Sequence, residues 1–170
     1  MPKFVGLSRS PFSRRSVVIS SLLVAALAVS GCAVQPAVKP PKVLFVCQAG
    51  TAKSAIAREM FKTRAKERGI VVDVFSRGIE IEDHLSPELK QKLRADGINT
   101  NAEPPRALTP ADWAAADILV YFNPLPASVQ HKDIRDWTDV SSVNDDYASA
   151  KCDMIAYIDA LLDELSGDRR

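Results

Sequence analysis

The sequence predicts an α/β fold, a doubly wound parallel sheet of about four strands with helices on both faces. Three observations predict it. Short apolar runs alternate with helical segments along the chain, which is the order a parallel sheet requires. Val43 to Val46 is apolar without a break, as for a strand buried on both faces. Cys47 closes that run, and the carboxyl ends of strands are where such sheets place their ligands.

The elements follow in order. After the strand Val43 to Val46, the spacing predicts a helix over Ser54 to Arg68, with Ile56, Met60 and Phe61 on its apolar side and Gly69 just past its end. Ile70 to Phe75 reads as a second strand. Ser86-Pro87-Glu88 then opens a helix with a hydroxyl cap and a proline at the first helical position; Leu89 and Leu93 lie one turn apart and Gly97 ends it. Thr109-Pro110 repeats the device for a short helix. Ile118 to Phe122 is a third strand and Ile134 to Trp137 a short fourth. A last helix is expected from Asp145 to Leu165, with Cys152, Ile155, Ile158, Leu162 and Leu165 along its apolar face.

Residues 1–31 read as an address rather than as part of the fold. Lys3, Arg9, Arg14 and Arg15 form a positive start, and Val17 to Val29 is an apolar run of signal-peptide length. That run is shorter than the ~20 apolar residues needed to span a bilayer. Val29-Ser30-Gly31-Cys32 resembles a bacterial lipobox, cut before Cys32 with that thiol lipidated. Residues 32–41, with Pro36, Pro40 and Pro41, then form an extended tether, and residues 42–166 form one domain with one core. The expected location is the cell envelope, on the periplasmic face and anchored through lipid. Ala33 after the cysteine favours the outer membrane. Removing the four signal cations from the 22 lysines and arginines leaves 18 against 21 acids, so no basic surface for nucleic acid is expected.

The chemistry concentrates in Cys47-Gln48-Ala49-Gly50-Thr51-Ala52-Lys53-Ser54. Small residues leading into a helix gather several backbone N–H groups around one point, an anion cradle. A cysteine facing such a cradle holds a thiolate population and acts as a nucleophile. The competing roles are a buried core cysteine and a nucleotide-binding loop of the form G-x-x-x-x-G-K-[ST]. Cys47 and Ala52 stand where that loop needs glycines. His84 and His131 are isolated along the chain and read as surface residues, and no metal-ligand spacing appears.

The loop resembles the signature of the low-molecular-weight protein tyrosine phosphatases and their arsenate reductase relatives. The resemblance extends to Ser76-Arg77-Gly78 after the second strand and to Ala116-Asp117-Ile118-Leu119-Val120 at the third. It implies that Cys47 accepts a phosphoryl group as a cysteinyl-phosphate intermediate. Backbone amides from Gln48 to Ser54 would hold its oxygens, and Ser54 would donate to the sulfur. Lys53 stands where the family has arginine, which keeps the charge and loses the bidentate fork. The family's Asp-Pro general acid is absent; Asp145 and Asp146 are the candidates in that stretch, with helix capping as their competing role. Arsenate reductases of this fold relay oxidation through further cysteines, and none lies between Cys47 and Cys152.

Two functions follow. The first is a cysteine-dependent phosphatase hydrolysing a phosphomonoester, phosphotyrosine among the options, with reduced activity and no cofactor. The alternative is a weak or inactive oxyanion-binding module displayed on a membrane-anchored lipoprotein.

Overall fold

The computed structural model describes residues 39–167. The chain divides into Met1–Ala37 and Val38–Arg170, and every element described belongs to the second unit. The signal segment and Cys32 lie outside the described residues. Among those described, no helix is long and apolar enough to cross a membrane.

Four parallel strands form one sheet in the order β2-β1-β3-β4. They are β1 (Lys42–Cys47), β2 (Asp73–Gly78), β3 (Ile118–Tyr121) and β4 (Ile134–Asp136), connected through α1 (Lys53–Glu67), α2 (Pro87–Ala95), α3 (Pro110–Ala115) and α4 (Tyr147–Gly167). A short 3₁₀ turn covers Thr100–Ala102. Central β1 has Val43 to Val46 fully buried. Its side chains alternate between two cores because strand side chains alternate faces. Val43, Phe45 and Cys47 join the larger core with Ile56 and Phe61 of α1, Leu89 and Leu93 of α2, and Met154, Ile158 and Leu162 of α4. Leu44 and Val46 join Ala116 and Leu119 on the other face, where Trp113 of α3 packs. Cys47 therefore ends its strand on the α1 side of the sheet. Phe45 anchors the larger core, its ring centroid 5.6 Å from both Phe61 and Trp137, contacts worth about 0.5–1.5 kcal/mol each beyond burial.

Local signals explain where the elements stop. Gly69 sits at φ +67° and closes α1 with two bonds, its own N–H to the Lys66 carbonyl and that of Ile70 to the Ala65 carbonyl, a Schellman ending. That ending occupies Ile70, so β2 spans 73–78 rather than the expected 70–75. Gly97 ends α2 in the same manner, and the Ser86 hydroxyl accepts the Leu89 N–H at 3.1 Å. The last helix begins at Tyr147 rather than Asp145. Cys152 is exposed, against the expected core position. The buried stripe of α4 runs through Ala150, Met154, Ile158, Leu161 and Leu165. Residue 152 falls two positions from both Ala150 and Met154, on the opposite side of a 3.6-residue turn.

Candidate functional site

The site begins where β1 stops. Gly50 turns the chain at φ +70°, and Ala52 enters α1 with no side-chain cap, so the orphan amides of the first turn have no side chain of their own to satisfy them. Two donors converge on the Cys47 sulfur. The Gly50 N–H lies 3.2 Å from Sγ and the Ser54 Oγ 3.0 Å from it. Ser54 is fully buried and its hydroxyl also lies 3.3 Å from the Arg77 carbonyl at the end of β2. The single hydroxyl proton can serve one acceptor at a time. It goes to the sulfur when the sulfur is a thiolate and to the carbonyl when the thiol itself donates.

The segment after β2 runs along this loop and is tied to it mostly by backbone. Ile79, Glu80 and Glu82 donate their N–H groups to the carbonyls of Cys47, Gln48 and Ala49. Thr51 Oγ1 donates to the Glu82 carbonyl at 2.6 Å and accepts the His84 N–H at 3.2 Å. The approach is close enough that a Cβ on Gly50 would come 2.9 Å from Gly78. At the end of β3, Asn123 Oδ1 accepts the Gln48 N–H at 3.0 Å. That amide, one of those expected to face an oxyanion, is engaged by the protein itself.

Lys53 is half-buried and reaches the loop before α4, donating from Nζ to the Val140 carbonyl at 2.5 Å. Burial pushes its pKa down, opposed by the charges of Cys47, Asp139 and Asp153. The ammonium stays beside the cradle as a point donor with one of its protons committed to a carbonyl.

These groups open on a cleft of about 290 Å³ with Cys47, Ala49, Ala52 and Lys53 at its base. Glu82 and His84 from the segment after β2, Asn123 after β3, and Ser142 to Asn144 before α4 complete it. Neither Asp145 nor Asp146 lines it. Asp146 caps α4: its Oδ1 accepts the Ser149 N–H at 3.0 Å and its carbonyl accepts the Ala150 N–H at 3.1 Å. This is why that helix starts at residue 147. Asp139 accepts the Tyr157 hydroxyl at 2.5 Å, a bond that pushes the phenol pKa up. Among the described residues, no group of three His, Cys, Asp or Glu side chains could hold a metal ion.

Sequence reading located the residues that are contiguous with Cys47 and missed Glu82, His84, Asn123 and Asn144. One signal was present. Glu82, His84 and Asn123 follow the strands β2 and β3, whose carboxyl ends flank that of β1 in a parallel sheet.

Comparison with known proteins agrees with this layout. A family model described as low molecular weight phosphotyrosine protein phosphatase matches residues 42–140. Among solved structures, YfkJ from Bacillus subtilis superposes with a TM-score of 0.67 at 16% identity, covering 79% of this chain and 100% of that one. A mutant of the YwlE arginine phosphatase with a phosphorylated active-site serine matches with a TM-score of 0.59 at 20% identity, covering 76% and 98%. An arsenate reductase in the phosphate-binding state gives 0.57 at 18% identity, covering 74% and 98%. At such identities these likenesses speak for the fold alone. No curated protein matches the chain.

Proposed function

This chain belongs to the low molecular weight phosphotyrosine protein phosphatase family, and from that premise we propose that it is a cysteine-dependent phosphatase of reduced activity acting on a phosphomonoester. The observation that carries the reading is the pair of donors on one sulfur, Gly50 N–H and Ser54 Oγ, at the base of an open cleft. Donors aimed at a sulfur stabilise its thiolate and make it both nucleophile and leaving group. In the proposed reaction the Cys47 sulfur attacks phosphorus and the ester oxygen leaves. Water then releases phosphate from the cysteinyl phosphate. The α1 N-terminus and the Lys53 ammonium face the charge spread over the equatorial oxygens.

Lys53 also favours the second reading, an oxyanion-binding module. A lysine offers no bidentate fork, and its ammonium is already bonded to Val140. Turnover of a nitrophenyl phosphate and binding of inorganic phosphate or vanadate, measured on wild type, Cys47→Ser and Lys53→Arg, separate the two. The phosphatase reading expects loss of turnover in Cys47→Ser. It also expects a gain in Lys53→Arg on the order of ten- to a hundredfold, the worth of one charge-assisted hydrogen bond. Binding without turnover in wild type selects the module.

The N-terminal pattern supports a second part of the proposal: export, lipidation at Cys32, and display of the domain on the periplasmic face, at the outer membrane. Cys32→Ser should release the protein from the membrane fraction and change its mass. Retention at unchanged mass would refute lipidation.

A further inference from the structure

Asp145 and Asp146 stand outside the cleft, so the departing ester oxygen needs its proton from another side chain. We propose that His84 is that proton donor, an inference that rests on the phosphatase reading above. His84 lines the cleft with Cys47 and Lys53, and its backbone is fixed from two sides. Its N–H donates to Thr51 Oγ1 at 3.2 Å, within the loop that follows the nucleophile. Its carbonyl accepts from Asn144 Nδ2 at 2.7 Å, on the segment before α4. Asn144 is itself held, its Oδ1 accepting the Ser86 N–H at 3.1 Å. Stapled by its backbone between the nucleophile loop and the segment before α4, His84 lines the cleft with no hydrogen bond among the described residues committing its ring. An imidazole can give up and regain a proton near neutrality, and a two-step phosphoryl transfer asks for both.

The step balances. The Cys47 sulfur uses a lone pair to form the S–P bond as the P–O bond to the leaving group breaks. The electron pair on the departing oxygen takes the imidazolium proton. In the second step water attacks phosphorus and gives a proton to the neutral imidazole, and the S–P pair returns to sulfur as phosphate leaves. The charged or titratable groups that line the cleft with His84 are Glu82, Lys53 and Cys47, and its chain neighbour Asp83 is paired with Lys90 of α2 at 2.9 Å. The other cleft residues before α4, Ser142, Val143 and Asn144, carry no titratable group.

The experiment compares an alkyl phosphate, whose leaving group needs a proton, with a nitrophenyl phosphate, whose leaving group does not. It uses the full chain with His84→Gln, His84→Ala, Glu82→Gln and Cys47→Ser. His84→Gln should lower kcat/KM, which reports the step in which the ester oxygen leaves, about a hundredfold on the alkyl phosphate and less than about fivefold on the nitrophenyl phosphate, within the range of general acid catalysis. Added imidazole should restore alkyl phosphate turnover to His84→Ala. Equal loss of kcat/KM on both substrates, with no rescue by imidazole, would make the role structural and overturn the proposal. So would a leaving-group-dependent loss in Glu82→Gln instead. If wild type turns over, Cys47→Ser does not and His84→Gln matches wild type, the His84 assignment alone falls. If wild type turns over neither substrate, the phosphatase reading falls and takes this one with it.

Discussion

The loop that follows β1 and the loop that precedes α4 both line the cleft, and they are held in place by different means. The first is held mainly by backbone. Its carbonyls accept three N–H groups from the segment after β2, its glycine lies against Gly78, and the sulfur takes an amide proton from within the loop. The second is held mainly by side chains. Ser141 donates to Asp153, Asn144 bridges to His84 and Ser86, and Asp146 caps the helix that follows. A backbone-built loop fixes its geometry with few residue types, so chemistry can be read from their spacing. A side-chain-built loop depends on partners far along the chain.

The sharpest way to break that contrast is Gly50→Ala. An L-residue at φ +70° is strained, and its Cβ would sit 2.9 Å from the Gly78 backbone, so overpacking adds to the strain. The two effects together destabilise by about 2–5 kcal/mol and displace the amide that donates to Cys47. Chemical denaturation should show the loss of stability, and turnover should fall with it. A variant of wild-type stability would mean that the loop is less constrained by its backbone than the geometry implies.

Next in size is Ser54→Ala, which leaves the backbone intact and removes one donor from the sulfur. A charge-assisted hydrogen bond is worth roughly 1.5–3 kcal/mol, or about ten- to a hundredfold in rate. Single-turnover kinetics on a nitrophenyl phosphate measure it. An unchanged rate would show that Gly50 alone suffices to stabilise the thiolate.

This difference in construction also decides what was legible. The four parallel strands, the glycine endings of α1 and α2 and the Ser86 cap rest on short-range rules, and they stand where the sequence puts them within a few residues. The Cys47 to Ser54 loop is contiguous and was readable for the same reason. Asp145 and Asp146 were candidates because they lie in the right stretch, yet helix capping is a local use for an aspartate and Asp146 is bonded that way. His84 and Asn144 are 60 residues apart and meet by one hydrogen bond, and a single sequence carries no sign of that meeting. Cys152 looked internal because a cysteine is apolar enough to extend the stripe of α4. Only the helix phase, set by Met154 and Ile158 buried in the larger core, turns it outward.

Lys53 links the two loops, and its pH dependence tests that link. Burial lowers its folded pKa, so the ammonium is lost at a lower pH than for an ordinary lysine. Phosphate affinity should therefore decline on the alkaline side in wild type. Lys53→Arg stays protonated throughout and should keep its affinity there, a difference on the order of tenfold. Calorimetric titration of phosphate across the alkaline range reads this directly. Parallel declines in both proteins would place the titrating group elsewhere.

The smallest effect separates capping from catalysis at Asp146. A capping oxygen accepts the Ser149 N–H, and asparagine offers the same oxygen while alanine offers none. Asp146→Ala should therefore lose about 1 kcal/mol of stability, and Asp146→Asn should stay within a few tenths of a kcal/mol of wild type. A proton donor would behave differently, because asparagine cannot supply a proton and both substitutions would slow an alkyl phosphate alike. Melting temperatures and rates measured on the pair decide between the two roles. Stability loss confined to alanine, with both rates at the wild-type level, places Asp146 in the frame of the helix. A shared loss of rate would return it to the chemistry and remove the need for His84.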